Sequence, residues 1–315
     1  MDMLTEVLED VRSSGSLLGR NLLSPPWSIG LEEDAALTLV AVLRGEAWLL
    51  LEGHEPTHLA AGDRALVTGP RTFAAASDPT GRGPHCYVQS RTGICRDSAG
   101  RPLVDTDVRL GTRTHGTCLD GENVLLTGSF PATGRKVDRL LGSLPPVLRV
   151  PATDPPPTAL ALLEEEIGRD DPGQQTVLDR LLEVALVGTI RDWFALPEAA
   201  APAWYAAASD PVVGPALTAM QDDPARRWDV GSLAENSGIS RAAFARRFRD
   251  VMGQPPIGYL TGWRLCLASD LLAQTDRTLD SIARQVGYSS GFALSAAFTR
   301  EYGVRPATHR ETSRA

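Results

Sequence analysis

Two groups of side chains in this 315-residue chain have the types and spacing to do chemistry. The first is a run of arginines. Arg241, Arg246 and Arg249 fall within "SRAAFARRFRD", and residues 211–315 hold 13 Arg and no Lys against 10 Asp and Glu. A guanidinium carries its N–H donors in a planar fork that fits a phosphate or a guanine edge with two bonds at once. The chemistry this offers is recognition of a nucleic acid. The second group is a scatter of sulfur and imidazole at His85, Cys86, Cys95, His115 and Cys118. His115 and Cys118 have a spacing compatible with metal ligation, and Cys95 with His85 or Cys86 would complete a tetrahedral zinc set if their strands converge. The same thiols could form a disulfide on oxidation. Alternatively, Cys86 and Cys118 are small buried hydrophobes and the histidines ordinary loop residues. Cys266, between Leu265 and Leu267, reads as core. The chain has no P-loop, no dinucleotide-binding glycine fingerprint, no Gly-x-Ser-x-Gly elbow and no His-Glu-x-x-His helix, so no catalytic residue and no required cofactor is expected.

The arginines need helices to present them. In "VGSLAENSGISRAAFARRFRDVMG", Leu233 and Ala234 give a short helix its buried face, Gly238 sits where the chain must turn, and Ser240 can N-cap the next helix. Phe244 and Phe248 bury one side of that second helix and leave Arg241, Arg246 and Arg249 on or near the other. A connector follows, "PPIGYLTGWRLCLASDLLAQT", with Pro255 and Pro256 suited to a helix start and Leu265, Leu267, Leu271 and Leu272 suited to burial. The pattern then repeats in "LDSIARQVGYSSGFALSAAFTREYGVRP": Ile282, Ala283 and Val286, a turn at Gly287, a cap at Ser289 or Ser290, and the core pair Leu294 and Phe298. Two helix-turn-helix units joined by one long helix are expected.

This arrangement resembles the DNA-binding domain of the AraC/XylS family of bacterial transcription regulators over roughly the last third of the chain. The closing "VGYSSGFALSAAFTREYGVRPATHR" matches the family signature in its Gly-Tyr, its Ser-x-x-Phe pattern, Phe298, Tyr302-Gly303 and Pro306. The resemblance implies two recognition helices in successive major-groove segments of double-stranded DNA, with the connecting helix fixing their spacing. Placed on the family motif, the base-facing positions of the first helix are Ala242, Ala245 and Arg246, behind the Ser240 cap. Arg246 is the expected direct reader, with Arg241 and Arg249 on phosphates. The matching positions of the second helix are Gly291, Phe292, Ser295 and Ala296, which are small or apolar where the family often has Arg or Gln. With Ser290 and Arg300, that helix is expected to dock on the backbone and touch thymine methyl groups more than to read by hydrogen bonds.

Charge is distributed to match. The net −8 of the whole chain splits into +3 for residues 211–315 and −11 for the rest, and only the basic part need approach phosphates. No basic patch followed by an apolar run opens the chain, and no stretch approaches the ~18 apolar residues of a membrane span. The four cysteines are too few and scattered for a disulfide scaffold. A cytoplasmic, nucleoid-associated protein without membrane contact is expected.

Upstream, residues 3–14 have an amphipathic helical pattern, after which the texture changes to short strands. "LTLVAVL", "EAWLLLEG", "THLAAGDRALVTG" and "HCYVQSR" are divided by Gly, Asp and Pro in the manner of a β-sandwich or barrel. "LAAGDRALVTGP", with "RGEAWLLLEG" and "LLGSLPPVLRVP", is similar to the cupin-type sensor domain of one branch of the same family. His54 and His58 do not make the His-x-His pair of metal-binding cupins, and "GPRTFAAAS" has no His after its turn, so no cupin metal site is carried over. Between residues 158 and 196, "TALALLEEEIGRD" and "QQTVLDRLLEVALVGTIRDWFA" are amphipathic helices, the second apolar on more than one face. A dimer interface through Leu182, Leu186 and Ile190 is expected there, the alternative being packing against the barrel. The Pro- and Ala-rich residues 197–209 read as a linker.

The expected fold class is therefore multidomain β plus α: a cupin-like β-barrel sensor (1–151), a helical dimerisation segment (158–196), the linker (197–209) and an all-α double helix-turn-helix domain (210–315). The expected function is a sequence-specific DNA-binding transcription regulator, not an enzyme, sensing a small molecule or a stress signal. Its partners would be promoter or operator DNA, a small-molecule effector, a second copy of the chain and, if it activates, RNA polymerase. Trp48, on a strand expected to line the barrel interior, is the candidate effector contact. Two other classes are a cupin-type metalloenzyme fused to a helical domain, and a constitutive DNA-architectural protein that answers to no small molecule.

Overall fold

The computed structural model describes residues 3–8, 11, 18–33, 35–81, 85–90, 95–97, 101–102, 108–116, 118–199, 201–235 and 237–313. They form two compact units: Val11–Ala132 with Leu144–Ala199, and Met1–Asp10 with Thr133–Ser143 and Ala200–Ala315.

The first unit is built of β1 (Leu18–Leu23), β2 (Trp27–Glu33), β3 (Leu37–Arg44), β4 (Glu46–Leu50), β5 (Thr57–Ala60), β6 (Arg64–Thr68), β7 (Arg71–Ala76), β8 (His85–Ser90), β9 (Cys95–Asp97), β10 (Arg109–Gly111), β11 (Thr114–Gly116), β12 (Asn123–Phe130) and β13 (Val147–Val150). They make a seven-stranded sheet, β10-β11-β1-β12-β3-β6-β13, and a six-stranded sheet, β5-β4-β7-β2-β8-β9. Trp27, Ile29 and Leu31 from one sheet meet Val40, Val42, Ala65 and Val67 from the other in a single core. Leu39, Leu66 and Leu126 point the opposite way along the same strands and are also buried. A strand covered on both faces reads as a continuous apolar run rather than an alternation, which is the pattern of "LTLVAVL".

The cover includes a helix. Of the helices that follow β13, Thr158–Glu166 and Gln174–Phe194, the longer buries Leu178, Leu182, Leu186 and Ile190. Leu182 lies so close over Gly128 of β12 that a Cβ there would stand 2.6 Å from its Cδ1. The stripe expected to meet a second copy thus covers the chain's own sheet, because that sheet's outer face is as apolar as its inner one. Arg64 of β6 is 1% exposed and donates to Asp192 of the long helix at 2.9 Å. Its Nε and Nη2 have no acceptor among the described residues.

Two further positions concern the expected barrel features. Gly62 adopts a left-handed φ of 86°, and Asp63 beside it accepts from the Ala60 N–H (3.1 Å), the Ala152 N–H (2.9 Å) and the Arg149 guanidinium (2.7 Å). The Gly-Asp corner therefore joins the β5–β6 turn to the end of β13. Trp48 does not line the interior. Strand alternation sends Ala47 and Leu49 into the core, while Trp48 is half-buried on the other side, its ring 4.8 Å from that of His58.

The second unit is helical. In chain order its helices are α1 (Met3–Leu8), α2 (Arg135–Leu141), then, after the two helices just described (α3 and α4), α5 (Ala203–Ala208), α6 (Val213–Asp222), α7 (Val230–Glu235), α8 (Arg241–Met252), α9 (Pro256–Gln274), α10 (Leu279–Gln285), α11 (Gly291–Tyr302) and α12 (Pro306–Thr312). α5 lies where a linker is expected: its alanines favour helix, and Trp204 and Ala207 are buried. α2 comes from the stretch between β12 and β13. Asp270 of α9 accepts from its Arg135 and Lys136 N–H groups at 2.7 and 3.4 Å, filling the place of an N-cap where Gly134 has no side chain to offer. The Arg135 and Arg139 guanidiniums sit over Tyr302 and Tyr259 at 4.7 and 5.3 Å, and Val137 and Leu140 are buried.

Asp192→Ala would leave a buried guanidinium without its acceptor. We expect a loss of at least about 1–3 kcal/mol, read as a lower urea midpoint at unchanged slope, with Arg64→Met/Asp192→Ala less destabilised than Asp192→Ala.

Candidate nucleic-acid interface

α8 is held at both ends by its own sequence. The Ser240 Oγ accepts from the Ala243 N–H at 3.3 Å, and Gly253 closes the helix in the left-handed region at φ 69°. Phe244 and Phe248 are fully buried, the latter's ring 6.1 Å from that of Tyr259 on α9. This fixes the helix's rotation and leaves Arg241, Ala242, Arg246 and Arg249 exposed, with Ala245 half-buried beside them. Arg247 also reaches out, but donates to Asp210 at 3.1 and 2.5 Å. Burial works against the charge of that carboxylate, yet the Val213 and Val212 N–H groups and Arg247 outweigh it and hold its pKa below the ordinary range. Arg246 and Arg249 make no ion pair or side-chain hydrogen bond among the described residues. Their donors face outward unspent.

α11 repeats the design. Of the two possible caps it is Ser290 that serves, its Oγ accepting from the Ala293 N–H at 3.2 Å, and Gly303 ends the helix at φ 72°. Leu294 and Phe298 are buried, so Phe292, Ala296 and Arg300 point outward and Ser295 is half-buried. Gly291 differs from expectation. It is buried, its N–H donates to Asp280 at 2.7 Å, and a Cβ would stand 2.8 Å from that carboxylate. Its smallness serves the packing of α10 against α11 rather than an outward face.

The connecting helix α9 packs against α8 of the first helix-turn-helix pair and against α10 and α11 of the second. Arg264 donates to the Pro224 and Arg226 carbonyls, each at 2.7 Å, tying down the loop that precedes α7. The same guanidinium packs under Gly287, at the turn between α10 and α11. A Cβ on Gly287 would lie 2.8 Å from Arg264 Cζ and from the Pro224 oxygen, and its φ is 85°. Burial lowers the Arg264 pKa, with Tyr288 and Asp223 opposing, but an arginine keeps its proton at neutral pH regardless. Cys266 on the same helix is buried as expected, and burial pushes its thiol up to about 12. It stays protonated and unreactive.

The sulfur and imidazole groups fall on different strands. His85 and Cys86 are on β8 opposite Trp27 and Ser28, Cys95 is on β9 opposite Gln89, and His115 is on β11 opposite Asn21 in the other sheet. Cys118 is half-buried, its Sγ 3.2 Å from Ser24 Oγ. The side chains of His85, Cys86 and Cys95 lie outside the described residues, among which no three His, Cys, Asp or Glu gather as metal ligands.

The chain matches known families over two regions. Residues 2–195 match the cupin family, and residues 233–312 match a helix-turn-helix domain. The whole chain is similar to an AraC-like transcription regulator of Streptomyces lividans, 33% identical across 99% of this chain and 98% of that one. One from Streptomyces antibioticus is 32% identical across 99% of both. The chain belongs to the AraC family of transcription regulators. Among solved structures, the DNA-binding domain of AdpA in complex with a target DNA is 33% identical over 34% of this chain and 95% of that one, with a TM-score of 0.32. No helix of the described residues is long and apolar enough to cross a membrane.

The residues that hold α8 and α11 in place are less visible in sequence than the side chains these helices present. Asp210 and Asp280 stand near helix starts, where a carboxylate is a recognisable signal, and both accept backbone N–H groups. Arg264 gives no such signal, since its partners are carbonyls about 40 positions away.

Gly287→Ala should destabilise the helical unit by more than ~1 kcal/mol, because it combines a left-handed backbone with a contact to a backbone oxygen that cannot yield. Gly253→Ala, with a similar φ but nothing within 4 Å, isolates the backbone share. A calorimetric midpoint no lower for the first variant than for the second would contradict the close packing at Arg264.

Proposed function

We propose that this regulator reads duplex DNA through α8 and α11, with Arg246 hydrogen-bonding a base edge and Arg241 and Arg249 on phosphates. Ser240, Ala242, Ala245, Ser290, Ser295 and Arg300 complete the contact surface, while Gly291 acts from behind it. The observation that carries the reading is the contrast between neighbours: Arg247 is committed to Asp210, whereas Arg246 is exposed with its donors free. The cupin-like part serves as the sensor of a small molecule or stress signal and catalyses nothing, and the regulator needs no bound metal.

A second copy belongs in this reading. Leu182, Leu186 and Ile190 are occupied, but α4 carries another stripe, Val177, Leu181, Val184 and Gly188, at the alternating four-three spacing of helix pairing. Val177 is 45% and Val184 59% exposed, and a Cβ on Gly188 would meet nothing within 4 Å, so a partner helix could approach closely.

Arg246→Ala should weaken specific binding and relax preference at one base position by about 1–3 kcal/mol. Arg249→Ala should weaken all sequences alike and lower the salt slope by about one. Gel-shift titrations on the DNA upstream of the regulator's own gene distinguish the two, and unchanged affinity in both variants would remove α8 from the interface. For the dimer, Val184→Asp should give a monomer by light scattering at micromolar concentration with its thermal midpoint preserved. A wild-type chain already monomeric there would eliminate the stripe as an interface.

A further inference from the structure

We propose that Phe292 is the specificity-determining residue of the second recognition helix, selecting a thymine by packing against its 5-methyl group. The proposal rests on the reading that α11 lies in the major groove.

Phe292 is 86% exposed, more than any other large apolar side chain described. An aromatic ring held in water on a rigid helix forgoes the stabilisation that burial would give it, and the fold does not require it there. α8 and α11 superpose in register along the sequence, Ser240 with Ser290, Phe244 with Leu294, Phe248 with Phe298 and Gly253 with Gly303. The position equivalent to Phe292 is Ala242, so the same fold closes over a single methyl group. The core beneath α11 is completed by Leu294, Ala297 and Phe298.

The register also shows what has changed between the two readers. On its outward face α8 presents Ala242 and then Arg246; α11 presents Phe292 and then Ala296. The bulky group has moved one turn toward the N-terminus and has lost every hydrogen-bonding atom. Recognition helices of helix-turn-helix proteins contact base edges with their N-terminal residues. In the major groove the apolar feature of a base edge is the thymine 5-methyl group, which Phe contacts without a donor or acceptor. The surroundings suit DNA rather than an apolar protein face: Arg300 lies two turns along the same side of α11, and Arg284 and Arg305 are exposed on the adjoining elements. The first unit would then select by hydrogen bonds and the second by shape and methyl contact.

The test uses the full-length chain and a random-sequence duplex library, sequenced after rounds of binding. Positions that lose their preference in Arg246→Ala mark the α8 segment and leave the rest for α11. In that remaining segment the wild type should enrich a thymine, and Phe292→Ala should lose the preference while Phe292→Leu keeps it. Replacing that thymine by deoxyuridine should weaken wild-type binding about fourfold, the factor expected for one buried methyl group, and leave Phe292→Ala binding unchanged. Phe292→Ala should unfold at the wild-type temperature, since the side chain packs against nothing it would miss. Equal wild-type affinity for the thymine and uracil duplexes, or a thymine preference that survives Phe292→Ala, would overturn the proposal while leaving DNA reading by Arg246 intact. So would a Phe292→Ala chain of altered oligomeric state with the thymine preference retained, which would assign the ring to a second copy. A library with no enriched sequence at all would overturn DNA reading itself.

Discussion

The guanidinium of Arg264 is the point on which the packing of α8 and α11 around α9 depends. Two short helix-turn-helix units can present their outward faces in a fixed relation only if something rigid spans them, and α9 does so with buried Tyr259, Leu260 and Trp263 at one end and Leu265, Ala268 and Leu272 further along. Arg264 lies at the join. It donates to two carbonyls of the loop before the first unit and packs against the turn of the second. Placing a half-buried cation there has a desolvation cost, offset by its charge-assisted hydrogen bonds to the two carbonyls. The geometry that results leaves no room for a side chain at position 287. A glycine that looks like a generic turn residue is therefore a packing requirement as well as a backbone one.

The carboxylates of the helical unit follow the same logic. Asp210 accepts from Val212 and Val213, Asp229 from Ser232, Asp270 from Arg135 and Asp280 from Gly291, each a backbone N–H near a helix start. Acids spent on helix starts also favour the positive end of the helix dipole, and of these four only Asp210 is described in an ion pair with an arginine of α8 or α11, Arg247. The modest net charge of +3 for residues 211–315 understates what the faces of α8 and α11 present, because Arg241, Arg246, Arg249 and Arg300 are exposed there while these four carboxylates sit at helix starts.

What was legible in the sequence is what closes over a short span of chain. The repeat Phe244–Phe248 and Leu294–Phe298, the caps Ser240 and Ser290 and the turns Gly238 and Gly287 are local signals. A helix-turn-helix unit closes its core within about 25 residues, so spacing alone announces it. The sheets are less readable. "NVLLTGSF" is a strand buried at every position, yet its Gly128-Ser129 resembles turn punctuation, because the glycine's role is to admit Leu182 from a helix more than 50 positions later. α4 misleads for the same reason. Its apolar width reflects two surfaces, a buried one set by a sheet face that the helix's own residues do not reveal and an outward one at Val177 and Val184. Trp48 falls on the wrong side of its strand in a reading by composition, since the alternation is set by which neighbours, Ala47 and Leu49, meet the opposite sheet.

α2 is where local reading fails most completely, and the reason is physical. "GRKVDRLLG" is short, basic and begins without a capping side chain, the profile of an exposed turn; in isolation a seven-residue helix would not persist in water. Its missing cap is Asp270, 135 positions away, and its cations find Tyr259 and Tyr302 on α9 and α11. The helix exists because of those partners. The unit that holds α8 and α11 is accordingly assembled from three stretches of chain, with α1 packed against both α2 and α5, and the chain passes between the two units near residues 10, 132, 143 and 199. A cut drawn where composition changes, near residue 210, would remove from the helical unit the very pieces that cover Asp270, Tyr259 and Tyr302. In this regulator the boundary between the family's two sequence regions and the boundary between its two packed bodies are different lines, and only the second is set by which side chains bury one another.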